Sequence, residues 1–206
     1  MKSTFKPWPP AVALLLFAGG IALARSGVPE FSHYVHPLAL RGTAGLPNAA
    51  LFNAAVFVAP GLLLALAGQG LRSTLGKVGW SARVGIVLVQ LSALAFAAQG
   101  VFPLDPSDAD ATASRVHALA WMLWWIAFVP GALLLALGVQ RGRLFASACV
   151  AAGVLVPVLA VFAPIGAWVG VAQRLAFGLW FGWWIVAGRL SRASTSSPGS
   201  SSTAGR

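Results

Sequence analysis

Read for its apolar and polar positions, the chain is a succession of oily blocks divided by short polar breaks. Blocks of Ala, Leu, Val and Trp run approximately from Trp8 to Ala24, Ala49 to Ala67, Val84 to Val101, His117 to Gly138, Leu144 to Phe162 and Leu175 to Ala187. A transmembrane helix needs about 20 mostly apolar residues, so the pattern predicts six helical spans. Strands of a membrane barrel would be short and would alternate apolar with polar residues, a pattern these continuous blocks do not show. The predicted fold is therefore all-α, a polytopic transmembrane helical bundle with short loops. Its parts are an N-terminal segment 1–7, a membrane domain 8–189 and a tail 190–206. The tail's Ser/Gly-rich "SRASTSSPGSSSTAGR" reads as disordered.

Composition agrees with that class. Of 206 residues, 58% are hydrophobic and only 9% charged, with a mean hydropathy of +0.82, whereas soluble domains carry about a quarter charged residues. The net charge of +10 invites a nucleic-acid reading, but the positions of the charges decide against it. With the N-terminus in the cytoplasm, Lys2, Lys6, Arg72, Lys77, Arg83, Arg141, Arg143, Arg189, Arg192 and Arg206 fall inside. Arg25, Arg41, Arg115 and Arg174 fall outside, with every acid. Such a split is the positive-inside pattern. The expected placement is multi-pass in the cytoplasmic membrane, a bacterial inner membrane, with both termini inside and no nucleic-acid partner. "MKSTFK", the apolar core after it and Ala22-Leu23-Ala24 also resemble a signal peptide. Arg25 directly after that site and an apolar stretch reaching back to Trp8 favour retention as a first span. The single cysteine, Cys149, sits inside the fifth block and reads as a small buried apolar residue.

The connections differ by side. "GQGLRSTLGKVGW" and "VQRGRLF" are short and basic, while the outer stretch from Arg25 to Asn48 is the longest and is rich in turn formers. The chain also echoes itself. Arg115 to Ile126 and Arg174 to Ile185 match at Arg, at all three Trp and at Ile, "FVAPGLLLAL" echoes "FVPGALLLAL", and "VFPL" echoes "VFAPI". Matched blocks share one orientation, which makes any duplication one of parallel helical hairpins. The recurring tryptophans read as residues of the bilayer interface. The polar residues that do not recur, Asp105 and His117, are the better candidates for a site.

Those two lie in "VFPLDPSDADATASRVHALAW", residues 101–121, which gathers three of the four acids. "DPSD" suits a type I turn, and Ser107 with Asp110 resembles a capping box. Asp108 and Asp110 are thus predicted to serve turn and cap. Asp105, held between two prolines, and His117, on one face with Trp121, Trp124 and Phe128, are expected to face one another across an outer-leaflet pocket with Trp121 as its apolar wall. A carboxylate there would favour the imidazolium and make the site sensitive to acid.

"FPLDP" at 102–106, His117 opening the next block and the six-span layout resemble the bacterial and archaeal membrane proteins grouped as domain of unknown function 998 (DUF998). The resemblance covers roughly Trp8 to Arg189. It implies the membrane fold and no reaction. Family members often carry a second histidine one turn before the position of His117, where this chain has Ala113.

Candidate ligand-binding residues are Asp105, His117, Arg115, Trp121 and Gln99. His33 and His36 of "HYVH", with His117, are weak metal candidates that Asp105 could complete into a zinc-type set, permitting hydrolysis at the membrane surface. No cofactor is expected, and "HExxH", "GxSxG", P-loop and "CxxC" patterns are absent. Span interiors offer only Asn53, Gln90 and Gln99 and no acid at mid-depth, which weakens proton-coupled transport. Arg25, Arg41, Arg115 and Arg174 ring the outer face, where arginine can bind lipid phosphates bidentately; snorkelling anchors are the plain alternative. The reading that results is a ligand- or lipid-binding, sensing or accessory protein whose partners are the bilayer and an outer-face headgroup or small ligand. A small-molecule transporter stands behind it, and a metal-dependent hydrolase third.

Overall fold

The computed structural model describes residues 8–139, 142–162 and 168–193, and every regular element among them is helical. Helix α1 is Trp8–Ala22, and α2 is a short helix, Leu38–Arg41, inside the long connection. The second span, residues 49–75, is built from α3 (Ala49–Asn53), one π turn (Ala54–Val58) and α4 (Ala59–Leu75). Then follow α5 (Trp80–Val101), α6 (Thr112–Gly138), α7 (Arg143–Pro157) with a π turn at Val158–Phe162, and α8 (Val169–Ala193). Among the described residues, five helices are long and apolar enough to cross a membrane. The sixth apolar helix, α1, has 15 residues, fewer than the roughly 20 an upright crossing takes. The chain is a multi-pass membrane protein, with six apolar helices among the described residues. Helix α8 runs four residues into the segment assigned to the tail; residues 194–206 and the N-terminal 1–7 lie outside the described residues.

The π turn in the second span has a cause in the sequence. Pro60 offers no backbone N–H, and its ring crowds the carbonyl four residues earlier. The echo of this segment in α6 reads "FVPG" where the second span has "FVAPG". A π turn closes each hydrogen bond over five residues instead of four, and it takes up that one additional residue. Both prolines are thereby followed by a glycine set against α5. A Cβ on Gly61 would fall 2.7 Å from the Ala93 carbonyl oxygen, and one on Gly131 would fall 2.9 Å from Val89 Cγ1. In the other direction, Gly85 of α5 meets the Gly131 carbonyl oxygen and Leu135. Helices in lipid gain nothing from hiding apolar surface from water, so they associate through such close van der Waals approach.

The tryptophans correct the sequence reading. Trp124, Trp180 and Trp184 are fully buried and Trp183 nearly so, where interfacial positions were expected. They join Phe17, Phe57, Phe96, Phe128, Phe177 and Phe181 in an aromatic core. Ring centroids lie 4.8 Å apart for Trp124 and Phe177, 4.9 Å for Phe96 and Trp180, and 4.6 Å for Phe17 and Phe181. Tilted and edge-on pairs of this kind contribute about 0.5–1.5 kcal/mol each beyond their area. Cys149 is buried, as expected, and its Sγ accepts the Trp183 Nε1–H at 3.3 Å. Trp80 and Trp168 are exposed at helix starts.

Candidate functional site

The 101–121 stretch forms the expected turn, with the Asp108 N–H donating to the Asp105 carbonyl at 3.3 Å. Asp108 Oδ1 accepts the N–H groups of Asp110 (3.1 Å) and Ala111 (3.0 Å), which satisfies donors just before α6. The capping box does not form: α6 starts after Ala111 with no side-chain cap, and Ser107 turns to Asp105 instead. Its hydroxyl and its N–H donate to Asp105 Oδ1 at 2.6 and 2.9 Å. The Ser107 hydroxyl first and its N–H second hold the Asp105 carboxyl below its ordinary pKa. Asp110 pairs with Arg115 at 3.1 Å, both side chains well exposed.

Asp105 and His117 do not face one another. His117 is 7% exposed, and its Nδ1 lies 3.0 Å from both the Gln99 and the Phe102 carbonyl oxygens. Two acceptors require that Nδ1 carry the proton. The reason lies in the sequence. The last carbonyls of a helix need outside partners, and the Gln99 carbonyl would otherwise be met by residue 103, which is Pro103 and has no N–H. His117 thus supplies a donor that proline removed. Asp105 reaches α6 through its backbone: its N–H donates to Ser114 Oγ at 3.1 Å, while that hydroxyl donates to the Asp108 carbonyl at 2.8 Å. Ser114, 2% exposed, is the tie that sequence reasoning missed; its signal is a lone serine one turn before His117. Trp121 packs on Trp124 and Phe177 in the aromatic core. Of the five candidates, His117 and Gln99 meet through the Gln99 carbonyl, Gln99 Nε2 has no partner, and Asp105, Arg115 and Trp121 each contact other groups.

The polar site that does form is the segment 25–48, folded as a cap over the same end of the bundle. Its Tyr34 carbonyl accepts the Gly170 and Val171 N–H groups (2.8 and 3.2 Å), orphan donors of α8's first turn. Gln173 Oε1 accepts the Leu38 N–H at 2.8 Å, and Arg174 Nη1 donates to the His36 carbonyl at 3.0 Å. Asn53 Nδ2, at the π turn, donates to the Gly42 carbonyl at 2.8 Å. His36 Nδ1 accepts the Ser32 N–H at 3.0 Å. Burial, then the charges of Arg174 and Arg25, lowers the His33 pKa and favours its neutral ring. Among the described residues no three His, Cys, Asp or Glu side chains gather closely enough to hold a metal ion, so His33, His36, His117 and Asp105 do not form the zinc-type set.

The ring of four arginines divides in two. Arg25 and Arg115 are exposed and reach Pro29 and Asp110. Arg41 and Arg174 turn inward. Arg41, 3% exposed, donates from Nε to the Ala24 carbonyl (2.7 Å) and from Nη2 to the Ser26 carbonyl (3.2 Å), with its carbon 5.3 Å from the Phe52 ring centre. Its Nη1 has no partner, nor do Nε and Nη2 of Arg174. All four Asp and Glu side chains are described, and neither arginine pairs with one. Beside Arg41 is a cavity of about 390 Å³ between α1 and the start of the second span.

A family model described as "Protein of unknown function (DUF998)" matches residues 11–190, nearly the range over which the motif resemblance runs. No curated protein and no solved structure matches the chain.

Proposed function

The chain belongs to the DUF998 family, and since that description carries no activity, we propose from the site that the protein binds an anionic lipid headgroup at the end closed by segment 25–48, as a binding, sensing or accessory component of the membrane. The observation that carries this is Arg41: a guanidinium 3% exposed, with an unused Nη1 and no carboxylate paired to it. Guanidinium stays protonated under all ordinary conditions, and a buried charge without a counter-charge costs on the order of several kcal/mol. An anion from outside the protein would relieve that cost, and phosphate is the group arginine's planar fork matches best. Arg174, held half-buried on the same cap with two unpartnered nitrogens, supports the same reading.

The basic residues at the opposite end, Arg72, Lys77, Arg83 and Arg143, support placing the cap on the outer face of the cytoplasmic membrane with both termini inside. The test is lipid retention. Protein extracted into a neutral mild detergent should carry anionic phospholipid at about one per chain, and the Arg41→Gln/Arg174→Gln double variant should lose most of it. Equal lipid in both, by quantitative mass spectrometry of extracts, would sink the headgroup reading. A reporter fused at Ala111 should read outside; a cytoplasmic signal reverses the orientation.

A further inference from the structure

We propose that the cavity between α1 and the second span is the seat of one anionic phospholipid, its phosphate on Arg41 and one acyl chain lying along α1. This rests on the headgroup reading above and gives the lipid an address. The cavity, about 390 Å³, has a polar end made by Arg41, Ser26 and Asn48 and walls of leucines and Phe52; its size lies in the range of ligand pockets. A cationic end and hydrocarbon walls complement a phosphate joined to a fatty chain, and they fit neither a free ion nor a wholly apolar molecule.

Three features argue that the occupant enters from the bilayer. The wall residues Leu15, Leu23 and Leu51 are 71%, 68% and 69% exposed, so the cavity opens sideways, where acyl chains lie. Two adjacent glycines on α1 divide the work. A Cβ on Gly20 would collide with Val56 Cγ2, which commits that face to the helix contact, whereas a Cβ on Gly19 would meet nothing within 4 Å and faces the open channel. Finally, Arg41 is fixed before any ligand arrives. Two carbonyls hold its Nε and Nη2 and Phe52 covers one face, while Nη1, itself buried, has no partner and the residue lines the cavity. A side chain held in place by these contacts loses little further freedom on binding.

The experiment uses the full chain, delipidated in a neutral detergent and titrated separately with phosphatidylglycerol, phosphatidylcholine and inorganic phosphate, with binding read by native mass spectrometry and by thermal unfolding. Phosphatidylglycerol should bind once per chain and raise Tm, while phosphatidylcholine and phosphate at equal concentration should do neither. Arg41→Gln should weaken phosphatidylglycerol binding about tenfold or more, the loss expected for a charged hydrogen bond. Gly19→Phe, which fills the channel and leaves Arg41 in place, should do the same and keeps the test decisive should Arg41→Gln fail to fold. Arg72→Gln, at an exposed arginine of the opposite end, should bind as the parent does. If Arg174→Gln loses the lipid while Gly19→Phe keeps it, the headgroup reading stands and this address is wrong. If no variant changes binding, both are wrong. Equal binding of phosphatidylcholine, or Arg41-dependent binding of phosphate that Gly19→Phe leaves untouched, overturns the anionic-lipid assignment.

Discussion

At Pro103 the chain loses a backbone donor at the point where α5 ends, and His117, from the next helix, replaces it. Removing the imidazole leaves the Gln99 carbonyl oxygen buried without its partner, a loss of about 1–3 kcal/mol. His117→Ala should therefore lower Tm in detergent, Asp105→Asn should change it little, and a double-mutant cycle should show the two effects adding. Coupling between them would mean that they meet after all. Asp105 keeps a pH consequence of its own. Its carboxyl is held low by Ser107, so what it adds to folding is present above the ordinary carboxylate pKa and is lost as pH falls through its lowered value. The sequence did mark Asp105 and His117 as unusual, because neither recurs in the matching segments. Their partners were hidden because His117 answers a missing N–H, and an absence has no side chain to read. Even so, a glutamine carbonyl four residues before a proline is a signal that sequence alone offers.

Among the elements, the helices follow from uninterrupted apolar composition, which is why the six blocks and their order were legible before any coordinates. Which face of each helix turns inward was not. In lipid, a leucine on the surface and a leucine in the core look alike, so periodicity carries little, and tryptophans assigned to the interface turned out to build the centre. The small residues say more. Gly85 sits against the Gly131 carbonyl oxygen at 2.9 Å from where a Cβ would stand, whereas a Cβ on Gly178 would meet nothing within 4 Å. Gly85→Leu should force α5 and α6 apart and destabilise the bundle by about 1–3 kcal/mol or more. Gly178→Ala should be neutral or slightly stabilising, since alanine favours a helix by about 1 kcal/mol over glycine. Thermal unfolding of the two variants side by side checks this, and equal Tm values would show that the α5–α6 approach is not a close packing contact.

For the molecule as a whole, all the acids and the four arginines assigned outside lie at one end, and the structure sorts those arginines into two kinds. Arg25 and Arg115 find partners at the surface. Arg41 and Arg174 are drawn under a cap whose hydrogen bonds to α8 span well over a hundred residues of sequence, a distance that no local pattern predicts. The ring of arginines was legible; the burial of two of them was not, because the segment 25–48 reads as a loop and folds as a lid. That lid leaves a buried charge with an unpartnered nitrogen beside a cavity with leucine walls. The most direct test is an experimental density map of the protein in nanodiscs containing phosphatidylglycerol. The account predicts a phosphate within hydrogen-bond distance of the Arg41 guanidinium, with chain density running along Gly19 and Leu15. A map in which that cavity is empty or holds protein atoms, with Arg41 bonded only to backbone carbonyls, would contradict it.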